Sequence, residues 1–393
     1  MTPDAAGSRR GRLTVVSALG VVEILAWGSS FYLLGVLAVP IAQDTGWPLA
    51  GVFGGLTLGL LVAGLVSPRV GRIIGERGGR PVLAASAIAL AAGLVVLSLA
   101  PSLWVFLAGW LLMGLGMGCG LYDPAFATLG RLYGAEARPE ITTLTLWGGF
   151  ASTVSWPLSA FMLEHGGWRS ACFIYAGLQL AVSLPLILGL IPRPPARPAS
   201  ATTDQKRVIV LAPRERRAFL LMAGVLILGG AVMSLFSAHV LTLLQARDVP
   251  LASAVTFGAL IGPSQVGARI VEMTFKGRHH PLWTLSAAMS LVALGIVLLA
   301  LGVPPVALAV ILYGAGNGIY SIARGTVPLA LFGPERYAPL VGRLARPGLV
   351  AQALAPPLGA YVLAHGGAGA TFGLLASMAL LNVVLVGALW RAP

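Results

Sequence analysis

Charge is what this sequence has least of. Only 10% of its 393 residues are Asp, Glu, Lys or Arg, against roughly 25% in soluble domains, so there is too little polar surface to cover a water-facing globule of this length. Lysine is almost missing, with Lys206 and Lys276 alone. Cysteine is limited to Cys119 and Cys172. Both lie in apolar runs without metal-ligand spacing, so they read as small core residues and no metal site is expected. There is no H-E-x-x-H, no G-x-S-x-G beside a suitable base and no Walker A sequence. A membrane enzyme and an ATP-driven pump are therefore not supported, and no cofactor is expected. No soluble signalling domain fits into the linker or the tails, which speaks against a sensor.

What is present is hydrophobicity, at 57% of residues and a mean hydropathy of +0.87. Apolar windows of about 20 residues, enough to cross a bilayer as helix, recur almost end to end. They lack the strict alternation of a membrane barrel. The stretch Met1–Arg12 carries Arg9-Arg10 before an apolar run, but that run reaches Pro40, far beyond a signal-peptide core. It reads as a first spanning helix.

Two glycine-laced runs organise the chain. Gly109 to Arg131 contains Asp123, and Tyr313 to Phe332 contains Arg324. An acid inside such a run costs roughly 2.5 to 3.5 kcal/mol on insertion scales and needs a partner or a purpose. The runs echo each other. At an offset of 200, Gly114, Gly116 and Gly118 fall on Gly314, Gly316 and Gly318, Pro81 on Pro281, Pro157 on Pro357, and His165-Gly166-Gly167 on His365-Gly366-Gly367. At 202, Pro48-Leu49-Ala50 falls on Pro250-Leu251-Ala252 and Gln43 on Gln245. A period of half the chain means two copies of one unit.

The apolar runs predict twelve spans, near 13–40, 49–70, 81–100, 103–130, 140–163 and up to 191, then 218–245, 251–273, 281–302, 304–332, 338–363 and 369–391. The fold class is thus an all-α membrane protein of two pseudo-symmetric six-helix bundles. Residues 1–12 form an N-terminal tail, 13–191 the first bundle, 192–217 a linker broken by prolines at 192, 194, 195, 198 and 213, and 218–393 the second bundle. With both termini cytoplasmic, all but Arg169 and Arg247 of the 26 Lys and Arg fall on the cytoplasmic side or in cytoplasm-facing helix ends. That placement accounts for the net charge of +13 without a nucleic-acid partner. Arginine-rich, Ala- and Gly-rich composition points to a bacterial chain and hence an inner membrane. Gly51, Gly55 and Gly59 share one face of span 2, where another helix can approach closely. Trp168 reads as an interfacial anchor.

Between spans 2 and 3 lies Gly71-Arg72-Ile73-Ile74-Gly75-Glu76-Arg77-Gly78-Gly79-Arg80. It resembles the signature loop of the major facilitator superfamily, G-x-x-x-D-R/K-x-G-R/K-R/K. Gly71, Gly78 and Arg80 match; Gly75 replaces the acid, for which Glu76 can stand in, and Gly79 replaces a basic residue. Ser152–Ala160 resembles the family's antiporter motif in a degraded form, with Pro157 matching outright. The counterpart of the signature loop follows span 8, where Arg269 and Glu272 stand three apart and can pair as part of a cytoplasmic lock. The resemblance implies a secondary transporter, acting as a monomer, whose spans 1, 4, 7 and 10 line a central cavity. Those spans hold the deeply placed ionisable residues Glu23, Asp123, His239 and Arg324.

Glu23, Trp27 and Phe31 recur every four residues, and Tyr313, Asn317, Tyr320 and Arg324 at spacings of four, three and four, so each set forms one helical stripe. Such stripes are too polar for lipid and are expected to face the cavity. Arg324, with Tyr320, Asn317 and Tyr313, is the candidate anion site, lined by Trp27, Phe31 and His239; Glu23 and Asp123 are candidate proton carriers. Blander roles stand beside these: Asp123-Pro124 can cap a restarted helix, Arg324 can snorkel, His239 can be a satisfied histidine and Glu23 a buried hydrogen-bonding acid. A lone cavity guanidinium favours a carboxylate, so proton-coupled transport of a small organic anion such as a monocarboxylate is expected. Proton-driven efflux of amphipathic drugs is the alternative.

The topology is testable with Thr45→Cys and Ala201→Cys in a chain lacking Cys119 and Cys172. A membrane-impermeant thiol reagent added outside intact cells is expected to label position 45 and not 201; the reverse pattern would overturn the assignment.

Overall fold

The computed structural model describes residues 8–193, 211–275 and 278–392. Eight helical runs among them are long and apolar enough to cross a membrane. Two of these, Leu103–Leu190 and Val306–Leu389, are 88 and 84 residues long. At about 1.5 Å per residue each would reach some 120 Å or more, several times a bilayer core of about 30 Å, so neither can be one span. Each turns back where the sequence supplies breakers. Gly167, Gly333 and Gly367 take φ of 74°, 72° and 70°, a left-handed region that a Cβ disfavours. Gly134, at φ 59°, opens the turn Gly134–Ala137. Three spans lie in each long run, and twelve result.

The predicted boundaries shift where capping chemistry overrides hydropathy. Ser8 accepts from the Gly11 N–H at 3.1 Å and starts span 1 at Arg9, so Arg9–Arg12 of the expected tail is helical. Pro213 opens span 7 (Pro213–Gln245), which takes in residues assigned to the linker. Positions 1–7 of the tail and 194–210 of the linker lie outside the described residues.

Several spans are discontinuous, and the breaks position the site. Span 1 is Arg9–Gly28 and Leu33–Thr45, joined by a turn at residues 29–32. There Ser30 Oγ donates to the Ala26 carbonyl at 2.5 Å, and Gln179 Nε2 of span 6 donates to Ser29 Oγ at 2.9 Å. Span 4 is Leu103–Gly120 and Tyr122–Tyr133, with Leu121 extended between them. Pro124 has no N–H to offer the Gly120 carbonyl, so the helix ends and restarts here. Span 5 begins with Arg138–Gly149 and resumes at Ala151; span 8 is Leu251–Ala259 and Ile261–Thr274. Irregular backbone at membrane depth is tolerated where it lines a cavity or is buried in protein.

An even number of spans puts both ends of the described chain on one side, called here the terminus face. Contacts between the six-span halves concentrate on that side. Span 2 (Leu49–Arg77) crosses span 11 so closely that a Cβ on Gly71 would run into the Ala338 carbonyl and lie 3.0 Å from Gly342 Cα. Arg346, Leu349 and Val350 flank Gly64 farther along the crossing. Ile261–Thr274 packs on Arg138–Gly149 in the other half, whereas Leu33–Thr45 and Leu251–Ala259 pack substantially only within their own halves. The halves are joined from the terminus face to about mid-depth and parted beyond it.

The perimeter is apolar and exposed. Trp104 is 81% and Leu99 and Leu301 each 70% accessible, as side chains facing lipid would be. On the inside, the Gly51, Gly55 and Gly59 face of span 2 takes Leu103 and Trp110 of span 4. Arg169 and Arg247 close helix ends on the side away from the terminus face. Arg169 Nη1 donates to the carbonyls of Ser98 and Ala100 at 2.9 and 3.0 Å, and Arg247 Nη2 donates to Ala300 at 2.5 Å. Cations belong at helix C-termini.

Gly342→Val puts a branched side chain into the crossing of spans 2 and 11, where overpacking costs about 1–3 kcal/mol. The joined state is then expected to lose population roughly fivefold or more. Spin labels at Phe161 and Val255, on the parted ends of spans 5 and 8, should approach each other; an unchanged distance distribution would contradict the packing argument.

Candidate functional site

The centre of the molecule is built around a contact between the two halves. Arg324 Nη2 donates to both carboxylate oxygens of Asp123, at 2.7 and 2.6 Å. The two positions are 201 residues apart, one more than the repeat offset, so neighbouring equivalent places on spans 4 and 10 meet across the pseudo-symmetry axis. Asp123 lies in the first turn of the restarted helix Tyr122–Tyr133, where backbone N–H groups favour an anion. Leu121, not Asp123, is the capping residue. Arg324 does not snorkel: it reaches inward to the acid, and its Nε has no partner among the described residues.

Beneath the pair, toward the terminus face, the structure is packed solid. Phe126, Ile141 and Tyr337 are fully buried. A Cβ on Gly325 would lie 2.8 Å from Phe126 and 2.9 Å from Ile141, and Tyr337 Oη donates to the Gly325 carbonyl at 2.6 Å. Above the pair is a cavity lined by Trp27, Phe31, Tyr122, Asp123, Arg324 and Gln352, among others. It is narrow, about 20 Å³, little more than the space one water needs.

Glu23 is fully buried beside this cavity. Its Oε2 accepts from Trp27 Nε1 at 2.8 Å, and its Oε1 has no hydrogen-bond partner among the described residues. Trp27 packs against Tyr122, ring centroids 5.1 Å apart, and Tyr122 stacks on Phe126 at 5.1 Å and 9°. A second buried guanidinium spans the halves nearby. Arg269 Nε donates to the Gly318 carbonyl at 3.0 Å and Nη1 to the Thr145 carbonyl at 2.9 Å.

Not every expected residue arrives at the cavity. Tyr313 is fully buried against Phe236, ring centroids 4.3 Å apart, inside the second half. Tyr320 turns toward span 7, where Gly229 lacks the side chain that would collide with its ring. Asn317 is half-buried on the same helix. The stripe therefore follows span 7, and Arg324 is its one member on the cavity wall. His239 shares a 3.0 Å hydrogen bond with the Pro356 carbonyl within the second half, as a satisfied histidine does.

The signature-loop residues serve the terminus face. Gly71 makes the crossing with span 11, Gly78 ends span 2 at φ 81°, and Arg80 Nη2 donates to the Leu188 carbonyl. Glu76 is exposed. The expected Arg269–Glu272 pair does not form, because the Gly318 and Thr145 carbonyls draw Arg269 away. Glu272 instead accepts from Thr284 Oγ1 at 2.7 Å, meets His279 Nε2 at 3.1 Å and faces Arg138 Nη2 of the other half at 4.0 Å. Sequence reasoning missed Tyr122, Gln352 and the reach of Arg269, which lies in the last turns of span 8.

The model of the Major Facilitator Superfamily matches residues 19–342. Human monocarboxylate transporter 11 is 32% identical over 251 residues, covering 58% of this chain and 49% of that transporter, so the match spans about half of its length. Among solved structures, the human organic anion transporter MFSD10 superposes with a TM-score of 0.72 at 19% identity, covering 95% of this chain and 99% of that one. The transporter FucP in the outward conformation gives 0.70 at 13% identity, over 96% and 99% of the two chains.

Proposed function

The chain belongs to the Major Facilitator Superfamily, a family of multi-pass membrane transporters and not of enzymes, and on that premise we propose that it moves a small organic anion, coupled to protons, by alternating access. The observation that carries this reading is the Asp123–Arg324 bridge between the halves. A guanidinium offers planar, directional donors suited to a carboxylate, and here one carboxylate is already in place. A substrate carboxylate is a substitute for Asp123.

The charge arithmetic gives the coupling. With the bridge intact, the pair is neutral. When Asp123 takes a proton and Arg324 takes a monocarboxylate, the site is neutral again. Binding only one of the two leaves an unpaired charge in the closed centre, and a charge left uncompensated away from water is costly. The empty and the fully loaded states are thus the ones that can bury the site and rock, which fixes one proton per anion. Glu23, with its unpartnered oxygen, is the second acid on the path.

Rocking toward the terminus face has to undo the Gly71–Gly342 crossing, the Arg269–Thr145 bond and the Arg138–Glu272 approach. We place that face in the cytoplasm of a bacterial cell, with the chain acting as a monomer, because the basic residues gather there. Human monocarboxylate transporter 11 and the organic anion transporter MFSD10 are named for cargo of the proposed class. The drug-efflux reading draws on the aromatic wall of Trp27, Phe31 and Tyr122, which would suit an amphipathic cation beside the acids.

Proteoliposome flux of a labelled monocarboxylate tests the reading. Asp123→Asn is expected to keep exchange between internal and external anion while losing pH-driven accumulation. Arg324→Lys should lose both by about tenfold or more, since the planar fork is gone although the charge remains. Normal accumulation by either variant would refute the proposal.

A further inference from the structure

Four arginines near the terminus face have no counter-charge. Arg69 and Arg72 on span 2 and Arg343 and Arg346 on span 11 are exposed, and none of their guanidinium groups forms a hydrogen bond or ion pair among the described residues. Arg72 and Arg343 directly follow Gly71 and Gly342, the two glycines at which these spans touch. Arg69 and Arg346 stand about one turn away on the same helices. The proposed mechanism gives the four no role.

The two helices run antiparallel: Gly75 meets Pro339, Gly71 meets Ala338 and Gly342, and Gly64 meets Arg346, Leu349 and Val350. At about 100° per residue, Leu65, Arg69 and Arg72 lie on one flank of span 2, clockwise of its contact glycines as seen down the helix from its N-terminus. Arg343 and Leu354 lie on the corresponding flank of span 11, with Arg346 nearer the contact. Because the helices are antiparallel, these two flanks open on the same side of the seam. One groove is therefore framed by arginines of both halves. Arg72 and Arg69 lie about 8 and 12 Å from the end of span 2 at Arg77, a depth from which long basic side chains reach the headgroups. Leu65 and Leu354, farther from the terminus face, are exposed. Glu76 and Glu335, exposed nearer that face, leave the cations in excess. Duplication does not account for the cluster. Thr143 and Leu146 stand 200 positions before Arg343 and Arg346, and the equivalent seam of spans 5 and 8 joins opposite charges, Arg138 and Glu272.

We propose that this groove binds the headgroup of an anionic phospholipid, and that the lipid holds the two halves in the joined state. Guanidinium forks match phosphate oxygens, and a bilayer surface carrying anionic lipid attracts basic clusters of this kind. The apolar residues on the same flanks select a lipid over a soluble phosphate: an acyl chain hanging from a headgroup at the arginines runs along Leu65 and Leu354, which a free ion would leave bare. Without an anion, like charges face one another across the seam and oppose its closing. With one, the same charges pull on a common partner. That pull is lost once spans 2 and 11 separate, because each half then keeps only its own pair of arginines. A lipid that binds the joined state better shifts the equilibrium by that difference in affinity and no more. The inference does not depend on the cargo.

Spin labels at Phe161 and Val255 read the equilibrium in the full-length protein, reconstituted in nanodiscs of phosphatidylcholine alone or with an equal part of phosphatidylglycerol. Phosphatidylglycerol is expected to raise the ratio of the long distance, that of the joined state, to the short one by about threefold or more. Arg69→Gln with Arg72→Gln, or Arg343→Gln with Arg346→Gln, should each abolish most of that response, since one pair alone cannot bridge the seam. Arg9→Gln with Arg10→Gln, at exposed arginines of span 1, should retain it. A ratio that phosphatidylglycerol does not move in the native protein, or a response that survives both paired substitutions in the seam, overturns the proposal. Equal loss in the Arg9 and Arg10 variant does so too, because it would reduce the effect to general surface attraction. The same response to inorganic phosphate in phosphatidylcholine discs would make the groove a site for a soluble anion and overturn the lipid assignment.

Discussion

The structure depends on one partly buried ion pair that no single half can satisfy. Asp123 and Arg324 are each expensive inside a membrane and each comes from a different bundle. Their meeting removes the cost from both, and it does so only while the halves are joined near the terminus face. An interaction of this kind adds little net stability compared with an apolar substitute, but breaking it by removing one partner is severe. It therefore acts as a conditional bond. It holds until something else neutralises both ends together, which is what a proton and a carboxylate can do.

The remaining charges are arranged so that this bond has few competitors. Arg12 on span 1 pairs with Glu136 at 2.5 Å and Glu140 at 3.4 Å, all within the first half. In the second half the signs are reversed, with Glu215 on span 7 bound to Arg336 at 2.6 Å. Arg169 and Arg247 close helix ends inside their own bundles. These contacts keep each bundle rigid and move with it. What crosses between bundles at the terminus face includes the glycine crossing, the packing of Phe126 and Ile141 against Gly325, the reach of Arg269 to Thr145, and the cluster of Arg138 with Glu272 and His279. In the proposed mechanism those contacts are among the ones exchanged when the halves rock.

Much of this was legible in the sequence because duplication leaves a numerical trace. The repeat of Gly114-x-Gly116-x-Gly118 at Gly314-x-Gly316-x-Gly318 indicated two bundles, and the apolar runs indicated twelve spans. The same offset brings Asp123 to within one position of Arg324, and positions related by a two-fold axis meet when they lie on it. That pairing was available in the numbers but was read as two separate sites. Tyr313 and Tyr320 were misplaced for a different reason. Helical spacing fixes which residues share a stripe, but not whether the stripe faces open space or the neighbouring helix; Gly229, ninety residues upstream, decides that for Tyr320. Arg269 likewise chose backbone carbonyls over the nearby Glu272, a choice set by tertiary packing and invisible to local spacing.

The central claim is that proton and anion replace the same bridge together. Its most direct test is the pH dependence of anion affinity in the native protein and in Asp123→Asn. If uptake of one anion requires one proton on Asp123, the Kd of a monocarboxylate rises about tenfold for each unit of pH wherever the acid is ionised in the empty transporter. In Asp123→Asn, where Arg324 is permanently released, the Kd should be low and flat across the same range. A native Kd that does not change with pH, or an equal slope in the asparagine variant, would contradict the account.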